Sequence, residues 1–382
     1  MHFYTKMRSN MTTIFRVLVL ALLLVGCATQ APNPSPSNDL RPQKKAKNVI
    51  LLIGDGMGLT QISAGLYMNN NRLELERMPI VGLHKPYASN SLVTDSAAGA
   101  TAFACGVKTY NGAIGVDPDT VAIETILEEA EQRGLATGLV ATSTIVHATP
   151  ASFIAHEKSR TMYEDIAADF LDTEIDFFVG GGKKFFDRRE SDDRNIYAEL
   201  EEKGYLVSDY FKRNLKRVNP DYTRNFAYFT ADADPLPVSQ GRDYLKPASK
   251  MAADFLNKRD TDNKGFFLMI EGSQIDWGGH ANDSDYIVTE MIDFDSAIGA
   301  ILDFAEKDGE TLVVVTADHE TGGFAINPGS NFGRIEPAFT SDYHTAALIP
   351  VFAYGPGSEL FAGIYENIDI YTKMRRALGF EK

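Results

Sequence analysis

The feature that most constrains this chain is a set of short, unbroken apolar runs. They are "NVILLIG" (48–54), "TGLVAT" (137–142), "DFFVGG" (176–181), "GFFLMIEG" (265–272), "TLVVVTAD" (311–318) and "IPVFAYG" (349–355). Each is too short for a buried helix and rich in β-branched or aromatic residues, so each reads as a strand. Apolar side chains at successive positions, instead of every second one, suit strands covered on both faces. Stretches with helical periodicity lie between them, clearest at 120–133, 244–258 and 286–307. Strand and helix in alternation predict an α/β fold with three layers, α/β/α, around a central, mostly parallel sheet. One domain over residues 48–382 is expected. Residues 183–245 are charged and irregular, and are expected to form a surface insertion.

The N-terminal segment does not belong to that core. It carries Lys6, Arg8 and Arg16, no acid, and then an apolar run from Val17 to Val25. This is the pattern of a secretory signal over residues 1–26. "LVGC" at 24–27 resembles the lipobox of bacterial lipoproteins, whose Cys is acylated and becomes the mature N-terminus. It predicts a lipid on Cys27, contact with a membrane through that lipid, and a place in the bacterial cell envelope. That place is periplasm-facing or the outer membrane, and Ala28, rather than Asp, after the Cys points to the outer membrane. Residues 27–47, rich in Pro and Ser, are expected to be a flexible tether. With 37 basic and 52 acidic residues the chain has a formal net charge of −15. Such a surface excludes nucleic acid as a specific partner. An anionic substrate would need a local positive charge, which metal ions can supply. Cys105 is the only other cysteine, so the mature domain has no internal disulfide.

Several of the strands end in a chemically loaded residue. Asp55 follows the first, Thr142 and Ser143 lead into "HATP" at 147–150, Glu271 ends a third, and Asp318 and His319 end a fourth. Open α/β sheets bind ligands at the carboxyl ends of their strands. Carboxylates gathered at one edge would each need a partner, and a cation site provides one. "GDGMG" at 54–58 fails as a dinucleotide fingerprint because Leu59 stands where its third glycine belongs. Asp55 between glycines fits a metal ligand better. In "EGSQIDWGGH" (271–280), Asp276 and His280 are four apart, a spacing that places two ligands on one face of a helical turn or a tight loop. In "TADHETGG" (316–323), Asp318 and His319 can serve one site only in a bent turn, and Gly322 and Gly323 supply the bend. His344 precedes the last apolar run. Carboxylate and imidazole ligands without thiolates suit Zn²⁺, while a set of Glu, Thr and Asp oxygens suits Mg²⁺. His84 and His156 lie outside these motifs and are expected to be ordinary core or surface residues. Ser96, in "SLVTDSAAGATAFACGVK", stands where a helix should start, as a cap or as a nucleophile. No His is near it in sequence, so an activator would have to come from elsewhere in the chain.

"DGMG", "VTDSAAGATA", "HATPASFIAHEKSR", "EGSQIDWGGH", "TADHETGG" and "YHTAALIPVFAYGPG", in that order, together resemble the alkaline phosphatase family. The resemblance implies metal-dependent hydrolysis of phosphate monoesters to an alcohol and inorganic phosphate through a phosphoserine. It implies that Ser96 is the nucleophile and Arg160 the phosphate clamp. Asp276, His280 and His344 would hold one zinc, and Asp55, Asp318 and His319 a second. Asp55, Thr149 and Glu271 would hold a magnesium. His147 and Trp277 would border the third metal and the phosphate. The best-known members carry Lys or His at position 277, and Trp277 offers only an indole N–H. That departure implies a weaker hold on phosphate. Rival readings are a phosphodiesterase, phosphonate hydrolase or sulfatase of the same superfamily, and a non-catalytic metal- or phosphate-binding lipoprotein. The sequence leaves a homodimer open.

Overall fold

A computed structural model describes residues 44–380; the expected signal segment, Cys27 and most of the tether lie outside the described residues. The strands are β1 (Asn48–Gly54), β2 (Ile80–Lys85), β3 (Ala136–Thr144), β4 (Phe177–Gly181), β5 (Leu206–Asp209), β6 (Phe226–Phe229), β7 (Phe266–Gly272) and β8 (Thr311–Thr316). Four two-residue strands follow: β9 (Glu320–Thr321), β10 (Ala325–Ile326), β11 (Pro337–Ala338) and β12 (His344–Thr345). β13 (Ile349–Tyr354) and β14 (Gly363–Glu366) complete the series. Ten of them form one sheet in the order β14-β2-β13-β8-β1-β7-β3-β4-β6-β5. All neighbours in it pair parallel except at β13, which runs against both β8 and β2.

The unbroken apolar runs are explained by two cores, one on each face of this sheet. Val49, Leu51 and Ile53 of β1 face one core, with Phe267 and Met269 of β7 and Leu312 and Val314 of β8. The helices Ser96–Cys105 and Ile368–Leu378 cover it with Ala100, Phe103, Ile370 and Met374. Ile50, Leu52, Leu268, Ile270, Val313 and Val315 face the other. There Phe255 of Leu245–Arg259 and Ile298 and Leu302 of Ser284–Asp308 pack against them. Each such side chain, taken out of water, contributes roughly 1.5–3 kcal/mol. This is the expected three-layer α/β/α architecture.

Two expectations need correction. The helix read over 120–133 covers only Ile126–Gln132. Thr125 starts it late: its hydroxyl accepts the Glu128 N–H at 3.1 Å and the Glu128 carboxylate returns to the Thr125 N–H at 2.8 Å. Residues 183–245 are not an excursion from the fold. They supply β5 and β6, which extend the sheet beyond β4, and they bury Ile196, Leu200, Phe226 and Phe229. Strands of four residues between charged turns carry too few apolar positions to show a period.

Candidate active site

The four neighbouring strands β8, β1, β7 and β3 end side by side. Asp318 follows β8, Asp55 follows β1, Glu271 is the penultimate residue of β7, and the turn after β3 brings His147 and Thr149. Parallel pairing makes this convergence unavoidable, because every strand delivers its carboxyl end to the same edge. All of these except His147, which is partly buried, are buried.

Their oxygens are short of partners. Both carboxylate oxygens of Asp55, Oδ2 of Asp318, Oε1 of Glu271 and the hydroxyl of Thr149 have no hydrogen-bond partner among the described residues. Asp318 Oδ1 accepts the N–H of Gly56 at 3.2 Å and of His319 at 3.0 Å. Glu271 Oε2 accepts from Ser143 Oγ at 3.2 Å. Burial, and then repulsion from Asp318, pushes the Asp55 carboxyl well above the usual range. Burial likewise raises Glu271 to about 8 and Asp318 to about 7. Buried carboxylates in this condition cost free energy unless cations accompany them.

The imidazoles are aimed by their outer nitrogens. His344 Nδ1 bonds the Thr94 carbonyl at 2.8 Å and His280 Nδ1 the Asp342 carbonyl at 2.7 Å. That turns the two Nε2 atoms toward each other, 3.1 Å apart. Asp276 reaches both, at 3.4 Å from His280 and 3.5 Å from His344. Carbonyl partners of this kind fix the ring face that a metal would meet. The hydrogen bond that His280 donates to Asp276 draws its pKa up to about 9, so a cation binding there displaces a proton. His319 Nδ1 bonds Thr321 Oγ1 at 3.2 Å, and the same hydroxyl donates to Asp276. His319 Nε2 then faces Asp318 Oδ2 at 3.2 Å and Asp55 Oδ1 at 3.5 Å. An imidazole lone pair facing two carboxylates is repulsive alone and attractive around a cation. Three donor groups have ligand atoms within 4.8 Å of one another: Asp276, His319 and His344; Asp55, Asp318 and His319; and Asp55, His147 and Glu271. The residues fit metal ions.

Ser96 is the first residue of its helix, and it is not the cap. Asp95 is, through Oδ1 accepting the Ala98 N–H at 3.0 Å. The Ser96 hydroxyl is left facing His319 Nε2 at 3.3 Å. The helix comes this close because Gly99 lacks a Cβ, which would stand 2.9 Å from that of Asp318. Arg160 donates through Nη1 to Asp95 Oδ2 at 3.1 Å and through Nη2 to His147 Nε2 at 3.4 Å. Burial, and then the guanidinium, holds His147 down at about 3, so it accepts as a neutral ring. The indole of Trp277 meets it edge-on at 6.2 Å. Every residue singled out in the motifs is therefore at one edge of the sheet. His84 and His156 are elsewhere, as expected, bonded to the Ala317 carbonyl and to Glu128. Sequence reading missed Asp95 and Thr321; only Asp95, beside Ser96, carried a signal.

Residues 46–338 match the sequence profile of the alkaline phosphatase family. The chain belongs to the alkaline phosphatase family. It is 37% identical to alkaline phosphatase 3 of Bacillus subtilis, over 88% of this chain and 90% of that one. It is 45% identical to the alkaline phosphatase of the Antarctic bacterium TAB5, with a TM-score of 0.81 over 89% of this chain and 99% of that one. A variant of the TAB5 enzyme with a histidine changed to aspartate carries magnesium in its M3 site; the match has 44% identity over the same shares and a TM-score of 0.81. As an alkaline phosphatase the protein hydrolyses phosphate monoesters and depends on metal ions to do so. Among the described residues no helix is long and apolar enough to cross a membrane.

Proposed function

We propose that Ser96 is the nucleophile of this alkaline phosphatase and that the reaction passes through a phosphoserine. The observation that carries this is the Ser96 hydroxyl, released from capping by Asp95 and 3.3 Å from His319 Nε2, beside buried carboxylate oxygens that have no partner. Asp276, His280 and His344 would hold one Zn²⁺, Asp55, Asp318 and His319 the second, and Asp55, Thr149 and Glu271 an Mg²⁺. When bound, these cations supply Lewis-acid stabilisation of the charge on the phosphoryl oxygens and on the Ser96 and leaving oxygens. His147, with Asp55 and Glu271, borders the third position.

The chain's own groups do the rest. Arg160, aligned by Asp95, grips two non-bridging oxygens of the substrate with its planar guanidinium. This fixes phosphorus in line with Ser96 Oγ. The Oγ–P bond forms as the bond to the leaving oxygen breaks on the opposite side, through a loose transition state; Ser96 gives up its hydroxyl proton and the leaving oxygen takes one up to depart as the alcohol. A water molecule then attacks the phosphoserine, and Ser96 departs with a proton.

Ser96→Ala tests the assignment. The alanine variant should keep its fold, because the cap is Asp95, and should keep its zinc, because every ligand remains. Turnover should fall by roughly 10³-fold or more. Acid-quenched wild type should yield phosphate on the Ser96 peptide. Near-normal turnover of the variant without that phosphopeptide would overturn the reading.

We also infer that Cys27 is acylated and tethers the enzyme to an envelope membrane, from the "LVGC" lipobox and the Pro-rich segment after it. Cys27→Ser should release activity from the membrane fraction. An unchanged distribution and mass of the mature protein would exclude the lipid.

A further inference from the structure

Glu320 is buried at the edge of the site and is not one of its ligands. It lies on β9, directly after His319, and β9 pairs with β12 so that Thr345 stands opposite Glu320 and His344 opposite Thr321. Its carboxylate receives four donors from three parts of the chain. Oε1 accepts from Gln61 Nε2 at 2.8 Å and from the Phe324 N–H at 3.1 Å. Oε2 accepts from the Gly323 N–H at 3.2 Å and from the Thr345 hydroxyl. Gln61, on the helix Leu59–Met68 that follows the Asp55 turn, also donates to the Thr321 carbonyl at 2.8 Å. A carboxylate has about four acceptor positions, and all are used, so none is left for a cation.

The space for this side chain is reserved. A Cβ on Gly58 would stand 2.3 Å from Glu320 Cγ. The last glycine of "GDGMG", whose φ of −75° any residue can adopt, is therefore small because Glu320 passes against it.

Through these bonds one side chain ties together the neighbours of three ligand-bearing residues. His319 precedes it, Thr321 after it holds both His319 and Asp276, and Thr345 follows His344. The His319 and His344 rings, assigned above to different zinc ions, stack with centroids 3.5 Å apart across this pairing. We propose that Glu320 is a positioning residue that sets the spacing between the two zinc-binding halves of the site. The proposal rests on the zinc assignment above. Glu320→Gln replaces an acceptor by a donor that faces other donors, so β9 and β12 separate and both halves loosen.

The test uses the zinc-loaded enzyme, with zinc release followed by a colorimetric chelator. Glu320→Gln and Thr345→Val should release zinc about tenfold faster than wild type or more. Their cobalt-substituted forms should show shifted visible absorption. Thr345→Ser, which keeps the hydroxyl, should stay close to wild type on both measures. Thr345→Val carries the test alone if Glu320→Gln does not fold. Unchanged release and cobalt spectra in the folded variants, even with a lower melting temperature of the metal-free protein, would make Glu320 merely structural and overturn the proposal. A wild type that binds no zinc would overturn the metal assignment and this proposal with it, and the two failures are distinguishable.

Discussion

Asp95 spends its two carboxylate oxygens on two tasks, and the tasks can be separated. Oδ1 caps the Ser96 helix and Oδ2 aligns Arg160. Asp95→Asn keeps an acceptor for the Ala98 N–H and loses the charge facing the guanidinium. The melting temperature should therefore hold while KM for a phosphate monoester rises about tenfold, the loss of one charge-assisted hydrogen bond. Asp95→Ala should add the cap penalty of about 1 kcal/mol. Steady-state kinetics and thermal melts on both variants decide it, and an unchanged KM in Asp95→Asn would detach Asp95 from substrate binding. At this scale the ligand-type residues were legible in sequence because imidazoles and carboxylates at strand ends have few other uses. The residues that aim them were not. Thr321 bridges His319 and Asp276, 45 residues away, and nothing local to either segment announces that meeting. Nor was the role of Gly58 legible: it makes room for Glu320, a residue far away in the chain.

Elements were legible where burial on both faces made the apolar run continuous, as in β1, β7 and β8. β2, β5 and β14 were not, because their four to six residues mix buried positions with exposed or half-buried ones, and β6, though buried throughout, has only four residues. The late start of the helix Ile126–Gln132 is a case where the cap overrides the period. It also bears a pH-dependent tie. Glu128, part of that cap, meets His156 Nε2 at 3.0 Å, while His156 Nδ1 bonds the Gly115 carbonyl at 2.8 Å. Both ring nitrogens act as donors, which requires the imidazolium. Burial opposes that charge, but the hydrogen bonds to Glu128 and Gly115 and the negative charges of Glu128 and Asp169 together outweigh it and lift His156 from 6.5 to about 9. A pKa raised by folding stabilises fully below the unfolded value and is lost as pH rises through the folded one. The contribution, on the order of 2 kcal/mol, should therefore drain away between about pH 6.5 and 9. Thermal melts across that range should fall more steeply in wild type than in His156→Gln. Parallel curves would show that the pair carries no net stability.

At the scale of the whole molecule, metal ions are expected to complete a fold whose described residues hold no disulfide. Cys105 is a buried free thiol, and no second cysteine lies among the described residues. The ends of β8, β1 and β7 meet through Asp318, Asp55 and Glu271, three buried carboxylates of like charge, each with at least one oxygen that lacks a partner. Stripped of cations, these groups resist ionisation: burial holds Asp318 at about 7 and Glu271 at about 8. A carboxyl raised by folding favours the folded state at low pH, and that support is lost as pH climbs through the raised value. The metal-free protein should thus weaken as pH rises from about 4 to about 8. Cations reverse the sign, because they bind the ionised carboxylates and the deprotonated imidazoles. Saturation at about 100 times Kd is worth about 2.7 kcal/mol per site. For the three sites proposed above, in a chain of this size, removal should lower the melting temperature by on the order of 10 °C near pH 8. The gap should narrow near pH 6, where protons compete for the same atoms. Calorimetry of loaded and chelator-treated protein at both pH values measures it directly. Equal melting temperatures at the higher pH would mean that the strand ends are held together by something other than the ions.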